Sequence, residues 1–337
     1  MKYSLIVPVY NRPDEVDELL ASLTRQTLRD FEVIIVEDGS SVPCQQTCER
    51  YAAELDLHYH LKPNSGPGQS RNYGVERAKG EYVLILDSDV VLPPDYLWAV
   101  EQELTGAPCD AFGGPDRAHP DFTPMQKAIN YAMTSFFTTG GIRGGKKKLD
   151  RFYPRSFNMG IRRCVYERLG GFSAMRFGED IDFSTRLIKS GHSCRLFPEA
   201  WVWHKRRTDL RKFFKQVHNS GIARINLTLL HPGTLKMVHL LPAAFTAGAL
   251  TLAAGALAGI AMGCPHALWL LAPHALFAAI ILTDATAQEK SLGVGIRAVA
   301  ASYVQLCGYG SGFLRAWWRQ CVRRKGQFEA FKKNFYD

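Results

Sequence analysis

VLILDSDVVL, residues Val83–Leu92, carries Asp87 and Asp89 into one of the most apolar stretches of the first half of the chain. An aliphatic run of this kind reads as a strand buried on both faces, the habit of a parallel sheet. Two carboxylates separated only by Ser88 repel each other at such a strand end unless a positive charge sits beside them. Alone, an Asp-X-Asp is equally compatible with a plain acidic turn. The neighbouring segments decide.

Outward from this stretch, apolar and amphipathic segments alternate. YSLIVPVY (Tyr3–Tyr10), FEVIIVED (Phe31–Asp38) and LHYHLK (Leu57–Lys62) read as strands. PDEVDELLASLTRQT with Pro13 in its first turn, CQQTCERYAAEL, and GQSRNYGVERAKG ended by Gly80 read as helices. That alternation predicts an α/β fold of βαβ units with a mostly parallel, Rossmann-like sheet. Such sheets bind ligands at the carboxyl ends of their strands, where loops and helix N-termini present N–H groups. PVYNR, VEDGSS, KPNSGPG and DSD all follow strands at that edge, which describes a nucleotide pocket. No GxGxxG is present, which argues against a dinucleotide dehydrogenase.

The chain has 337 residues and a net charge of +9, with basic runs at Arg143–Arg151, His204–Lys215 and Arg315–Lys325. Such runs suit phosphate-bearing ligands, anionic lipid or nucleic acid, or form a merely solvated face. Eight cysteines without a CxxC pair read as free thiols of a reducing compartment. The apolar run at the N-terminus is too short for a signal peptide and breaks at Pro8, so a cytoplasmic catalytic domain is expected.

Seven segments, SLIVPVYNR, FEVIIVEDGSS, NSGPGQSRNYG, YVLILDSDV, FNMGIRR, LGGF and GEDIDFSTRLIKSGH, occur in the order found in family 2 glycosyltransferases. The chain resembles that family, in its membrane-anchored bacterial form, over roughly residues 1 to 225. The resemblance implies a GT-A catalytic domain that transfers a sugar from a nucleotide-sugar donor with inversion. UDP-sugars are the favoured donors, and no nucleic-acid partner is expected.

On this reading the charge missing from the opening stretch is Mg²⁺ or Mn²⁺ on the donor diphosphate, for which hard oxygen ligands at a strand end are suited. Asp87-Ser88-Asp89 resembles the family's Asp-X-Asp motif, with Asp89 as direct ligand and Asp87 on the ribose or a metal-bound water. Pro8, Val9, Tyr10 and Asn11 would line the base. Asp38, with Glu37 as the weaker candidate, would accept a base N–H. Gly66 and Gly68 permit close backbone approach, and Arg71 offers a fork for phosphate, its alternative being a surface ion pair.

Inversion needs a base for the acceptor hydroxyl. Asp180 stands where the family keeps it, Glu179 is the alternate, and helix capping is the plain alternative for this acidic turn. Asp182 is assigned to the sugars, although an i,i+4 pair with Arg186 explains it equally. SFNMG, with Asn158 and Gly160, resembles the family's strand beside the donor sugar. His204 is expected in the metal shell or on the diphosphate, or simply packed. TTGGIRGGKKK is expected to act as a mobile lid or an acceptor loop.

From Met237 to Thr283 no Asp, Glu, Lys or Arg occurs in 47 residues, enough for two spanning helices of about 20 residues each. A buried soluble hairpin is the alternative. The expected organisation is a GT-A domain over residues 1–230, a two-helix transmembrane hairpin over 237–287, and an interfacial or re-entrant amphipathic segment with a basic tail over 288–337. The expected location is the inner membrane, multi-pass, with a lipid-linked or glycan acceptor. A processive synthase would carry Gln-X-X-Arg-Trp after the base, which is absent. A non-catalytic binder would have no need of Asp87, Asp89 and Asp180 together.

Overall fold

A computed structural model describes residues 1–119, 121–140, 152–175 and 177–328. The loop expected to meet the acceptor falls largely outside them, from residue 141 onward, as does the end of the basic tail. The described residues form two compact units. Of these, the first takes residues 1–119, 152–175, 177–205 and 328, the second 121–140 and 206–327.

In the first unit, β1 (Tyr3–Val9), β2 (Phe31–Asp38), β3 (Asp56–Lys62) and β4 (Tyr82–Leu86) are mutually parallel. After the two-residue β5 (Val90–Val91) come β6 (Ala111–Gly113), β7 (Asp116–Arg117), β8 (Asn158–Arg162), β9 (Cys194–Leu196) and β10 (Val202–His204). The seven-stranded sheet runs β3-β2-β1-β4-β8-β6-β9, with β8 antiparallel to both its neighbours. A separate small sheet, β5-β10-β7, crosses its carboxyl edge region.

Every residue of β1, β2 and β4 is buried, as the continuous aliphatic runs predict for a sheet covered on both faces. Alternate side chains feed two cores. Leu5, Val7, Val33, Ile35 and Leu84 pack with Leu19, Leu20, Tyr96 and Val100 of helices Pro13–Leu23 and Tyr96–Gly106. Ile6, Ile34, Val36, Val83 and Ile85 pack with Val75, Phe172 and Phe183 on the other face. Each such side chain contributes about 1.5–3 kcal/mol on leaving water.

The helix opened by Pro67 ends at Val75, short of Gly80. Gly80 does not cap it: its N–H donates to Ser4 Oγ at 2.8 Å, and a Cβ there would lie 2.7 Å from the Ser4 nitrogen. The glycine is required by close approach to β1.

The second unit is helical. Helices Met237–Ala261 and the span Pro265–Glu289 are long and apolar enough to cross a membrane, each with mean hydropathy 1.7. Leu250, Leu257 and Leu276 on them are exposed. The segment read as apolar but broken by glycines and Arg297 is a continuous helix, Leu292–Trp317, packed along helix Leu210–Leu230. A Cβ on Gly310 would meet Thr246 Oγ1 at 2.1 Å, and one on Gly312 the His218 carbonyl at 2.0 Å. These glycines sacrifice helix propensity to let helix axes approach, so they are contact points rather than breaks.

Candidate active site

The chain leaves β4 at Leu86 and turns through Asp87, Ser88 and Asp89 before β5. His204 of β10 is the register partner of Val90, which draws its imidazole over the two carboxylates. His204 Nε2 lies 3.2 Å from Asp89 Oδ1 and 4.0 Å from Asp87 Oδ2. Ligand atoms of all three residues fall within 4.8 Å of one another. The ring stacks on Phe157 at 5.0 Å, and its Nδ1 lies 4.0 Å from Asp116 Oδ2, beyond hydrogen-bond distance.

Each carboxylate has its other oxygen held by an arginine. Arg12 donates to Asp89 Oδ2 at 2.7 Å, and Arg71 to Asp87 Oδ1 at 2.8 Å. The oxygens left facing the imidazole form, with it, a two-carboxylate, one-imidazole donor set. That chemistry fits Mn²⁺ well and Mg²⁺ through its oxygens, with room for waters and phosphate.

Arg71 is buried and lies over the Phe172 ring, so it is neither the surface pair nor the open phosphate fork expected. Its second nitrogen donates to Glu179 Oε1 at 3.0 Å. One buried cation therefore joins the Asp87 end of the site to helix Glu179–Lys189, whose first turn carries Glu179, Asp180 and Asp182. Burial pushes the Glu179 carboxyl up to about 7, with Arg71 opposing. Burial also pushes Asp180 upward, but Arg155, donating to Oδ2 at 2.6 Å, outweighs it with help from Arg71. Asp180 is thereby held below the usual carboxylate range. Asp182 is buried and accepts from Arg186 at 2.8 and 3.1 Å, the i,i+4 pair expected as its plain alternative.

The strand-end loops are built around Asp38. Its carboxylate accepts from Ser65 N at 2.9 Å, Gly66 N at 2.8 Å and the Lys62 ammonium, shaping the turn into helix Pro67–Val75. Oδ2 takes one of these donors and retains a lone pair for a base N–H. Gly66 sits at φ +89°, a conformation that favours glycine, while Gly68 packs against Glu179 and Phe172. Tyr10 is half-buried, whereas Pro8, Val9 and Ser88 are buried within the strand ends. Asn11 is exposed at φ +54° and ties its side-chain oxygen to Ser41 and Val42.

Three expectations fail geometrically. Glu37 points away from the pocket, fully buried, accepting from Cys44 N at 2.7 Å and from Ser40. Asn158 accepts from Tyr96 OH at 2.6 Å and donates to the Ala200 carbonyl at 2.8 Å, so its buried amide holds strands together rather than a sugar. Gly160 is kept small by the Phe112 ring, which a Cβ would meet at 2.0 Å. Conversely, Arg12, Arg155 and Asp116 were not singled out in the sequence. Arg12 stood in a loop already marked as polar; nothing local distinguishes the other two.

Comparison with known proteins agrees with this geometry. Residues 4–170 match the family model described as Glycosyl transferase family 2. An uncharacterized glycosyltransferase of Haemophilus influenzae is 32% identical over 197 residues, 55% of this chain and 62% of the relative. The poly(ribitol-phosphate) beta-N-acetylglucosaminyltransferase TarS of Staphylococcus aureus is 44% identical over 93 residues, 26% of this chain and 16% of TarS. The chain thus spans less than two thirds of either relative. Among solved structures, the mannosyltransferase PcManGT from Pyrobaculum calidifontis, in complex with GDP-Man and Mn²⁺, superposes with a TM-score of 0.62 at 22% identity, covering 89% of this chain and 86% of that one. Fold, strand-end site and sequence together make residues 4–170 of this chain a family 2 glycosyltransferase domain.

Proposed function

We propose that this protein is a membrane-anchored, inverting glycosyltransferase that moves a sugar from a nucleotide-sugar donor, UDP-sugars favoured, to an acceptor hydroxyl. The observation that carries this reading is the convergence of Asp87, Asp89 and His204, with Arg71 linking them to Glu179 beside Asp180. The names of the relatives, an N-acetylglucosaminyltransferase and a mannosyltransferase holding GDP-Man and Mn²⁺, support a nucleotide-sugar donor.

Asp87, Asp89 and His204 are the residues to hold Mn²⁺ or Mg²⁺. Bound there, the cation would supply Lewis-acid charge at the donor diphosphate. Arg12 and Arg71 keep the two carboxylates oriented. Tyr10, Asn11 and Asp38 receive the nucleoside. The acceptor oxygen forms its bond to the anomeric carbon as the bond from that carbon to the β-phosphate oxygen breaks. The electron pair stays on the phosphate, and Asp180 takes the hydroxyl proton.

Asp180 suits a base that must be ionised at neutral pH, since Arg155 holds its proton affinity down. A base acts only when deprotonated, so activity is lost as pH falls through its pKa. With Asp180 in the role, kcat/KM should stay level as pH falls through neutrality and decline only once pH is below the usual carboxylate range. A limb falling as pH drops through about 7 would instead assign the base to Glu179. The function itself is tested by incubating the full-length protein with UDP- and GDP-sugars, Mn²⁺ and lipid-linked or soluble glycan acceptors. Cation-dependent release of nucleotide with matching glycoside formation is expected; nucleotide binding without release from any donor would leave only a binding protein.

The domain reading is carried forward in the same terms: catalytic residues 1–230 in the cytoplasm, a spanning hairpin at 237–287, and a basic tail after it. It is supported by two long apolar helical spans, of which only 17% and 6% of the most apolar stretch is buried. Exposing so many leucines to water would invite aggregation, whereas lipid tails would cover them. A confined acceptor on a lipid carrier would profit from an enzyme anchored in the same bilayer. The full-length chain should therefore stay with membranes through a high-salt wash and leave them only in detergent. Recovery as a soluble monomer without detergent would remove the membrane and the lipid-linked acceptor from this reading.

A further inference from the structure

The amino edge of the same sheet, opposite the nucleotide loops, carries a second convergence of ligating side chains. Ser4, Glu32 and Asp56 are register partners in one row across β1, β2 and β3. Side chains two residues apart on a strand share a face, so His58, the register partner of Ile34, stands beside Asp56 on that face, two residues along from that row. Ligand atoms of Glu32, Asp56 and His58 lie within 4.8 Å of one another.

Glu32 is fully buried. Its Oε1 is doubly satisfied, by Ser4 Oγ at 2.6 Å and Lys79 N at 2.7 Å. Its Oε2 accepts no hydrogen bond among the described residues. That oxygen lies 3.4 Å from His58 Nε2, which lies 3.1 Å from Asp56 Oδ1. Close as these approaches are, Nε2 makes no hydrogen bond to either carboxylate. Donor atoms bound at about 2.0–2.1 Å to one tetrahedral ion sit about 3.3 Å apart, close to the two distances from Nε2 to the carboxylate oxygens. Two carboxylates and a neutral imidazole also carry the charge that one divalent cation balances, and a buried carboxylate oxygen needs such a partner.

We propose that Glu32, Asp56 and His58 bind a divalent transition-metal ion of the zinc type, with water in the fourth position. Its role is to pin the edge strand β3 to β2 at the start of both strands; it takes no part in sugar transfer.

The test uses the full-length chain in detergent, carrying Asp89→Ala and His204→Ala so that the catalytic donor set is disabled. Titration with Co²⁺ alone should give a tetrahedral ligand-field spectrum saturating at one equivalent, which Zn²⁺ then bleaches by displacement. Zn²⁺ should also raise the unfolding temperature, because it binds only the folded state. Adding His58→Ala should weaken binding at least about tenfold and abolish the spectrum. If the double-substituted background fails to fold, the unsubstituted protein should bind one more equivalent of Co²⁺ than the His58→Ala protein does. Absence of the spectrum, or its persistence after His58→Ala, would overturn the site. So would a stability that responds to pH through His58 but not to Zn²⁺, since a protonated imidazole would then be the bridge between the carboxylates.

Discussion

Asp89→Ala should abolish sugar transfer while leaving the sheet folded. Asp89 offers Oδ1 toward His204 and gives Oδ2 to Arg12, so its removal takes away a cation ligand and also frees an arginine beside the site. Stabilisation of the departing diphosphate by a cation is worth several kcal/mol. At about 1.4 kcal/mol per tenfold, the rate should fall by roughly three orders of magnitude or more. The cost in stability should be small, about 1 kcal/mol, because the side chain is partly open to solvent and its partners can find water. Initial rates with saturating Mn²⁺, set beside thermal unfolding of the same preparation, separate the two effects. Near-normal activity of the variant, or full activity of the unaltered protein in excess chelator, would take the cation out of the mechanism.

Asp180→Asn should lower transfer by two or more orders of magnitude, the usual contribution of a general base. The substitution retains an oxygen to accept from Arg155 and keeps the shape of the helix start, but it cannot take the acceptor proton. Donor affinity, measured by nucleotide-sugar protection against unfolding, should be nearly unchanged. A carboxylate that served only the helix N-terminus would give the opposite pattern: about 0.3–1 kcal/mol of stability lost and the rate intact. That pattern would pass the role of base to Glu179, whose burial already raises its proton affinity.

Much of this protein follows from its sequence alone. The aliphatic runs of β1, β2 and β4 require two-sided burial, and the alternation with helices requires a mostly parallel sheet. Polar residues after each strand then mark the binding edge, and Asp87 and Asp89 are legible there because carboxylates ending a buried strand need a reason. The apolar helices, with no charge from Met237 to Thr283, are legible for the same cause: composition along a continuous segment is a local property.

The tertiary structure decided which polar groups are spent on the fold and which remain for chemistry. Glu37 and Asp38 are adjacent in sequence, yet strand alternation sends Glu37 into the core and leaves Asp38 at the loop. Asn158 is consumed by Tyr96 and Ala200, partners distant in the chain. The glycines of Leu292–Trp317 read as breaks until the helices they allow to approach are in place. His204 reaches Asp89 only because β10 returns beside β5, and Arg12, Arg71 and Arg155 acquire their meaning from the carboxylates the sheet brings to them. Residue types and periodicity report what a segment must bury. The partner of a charge is set by register and crossover between strands far apart in sequence, and those are properties of the assembled sheet.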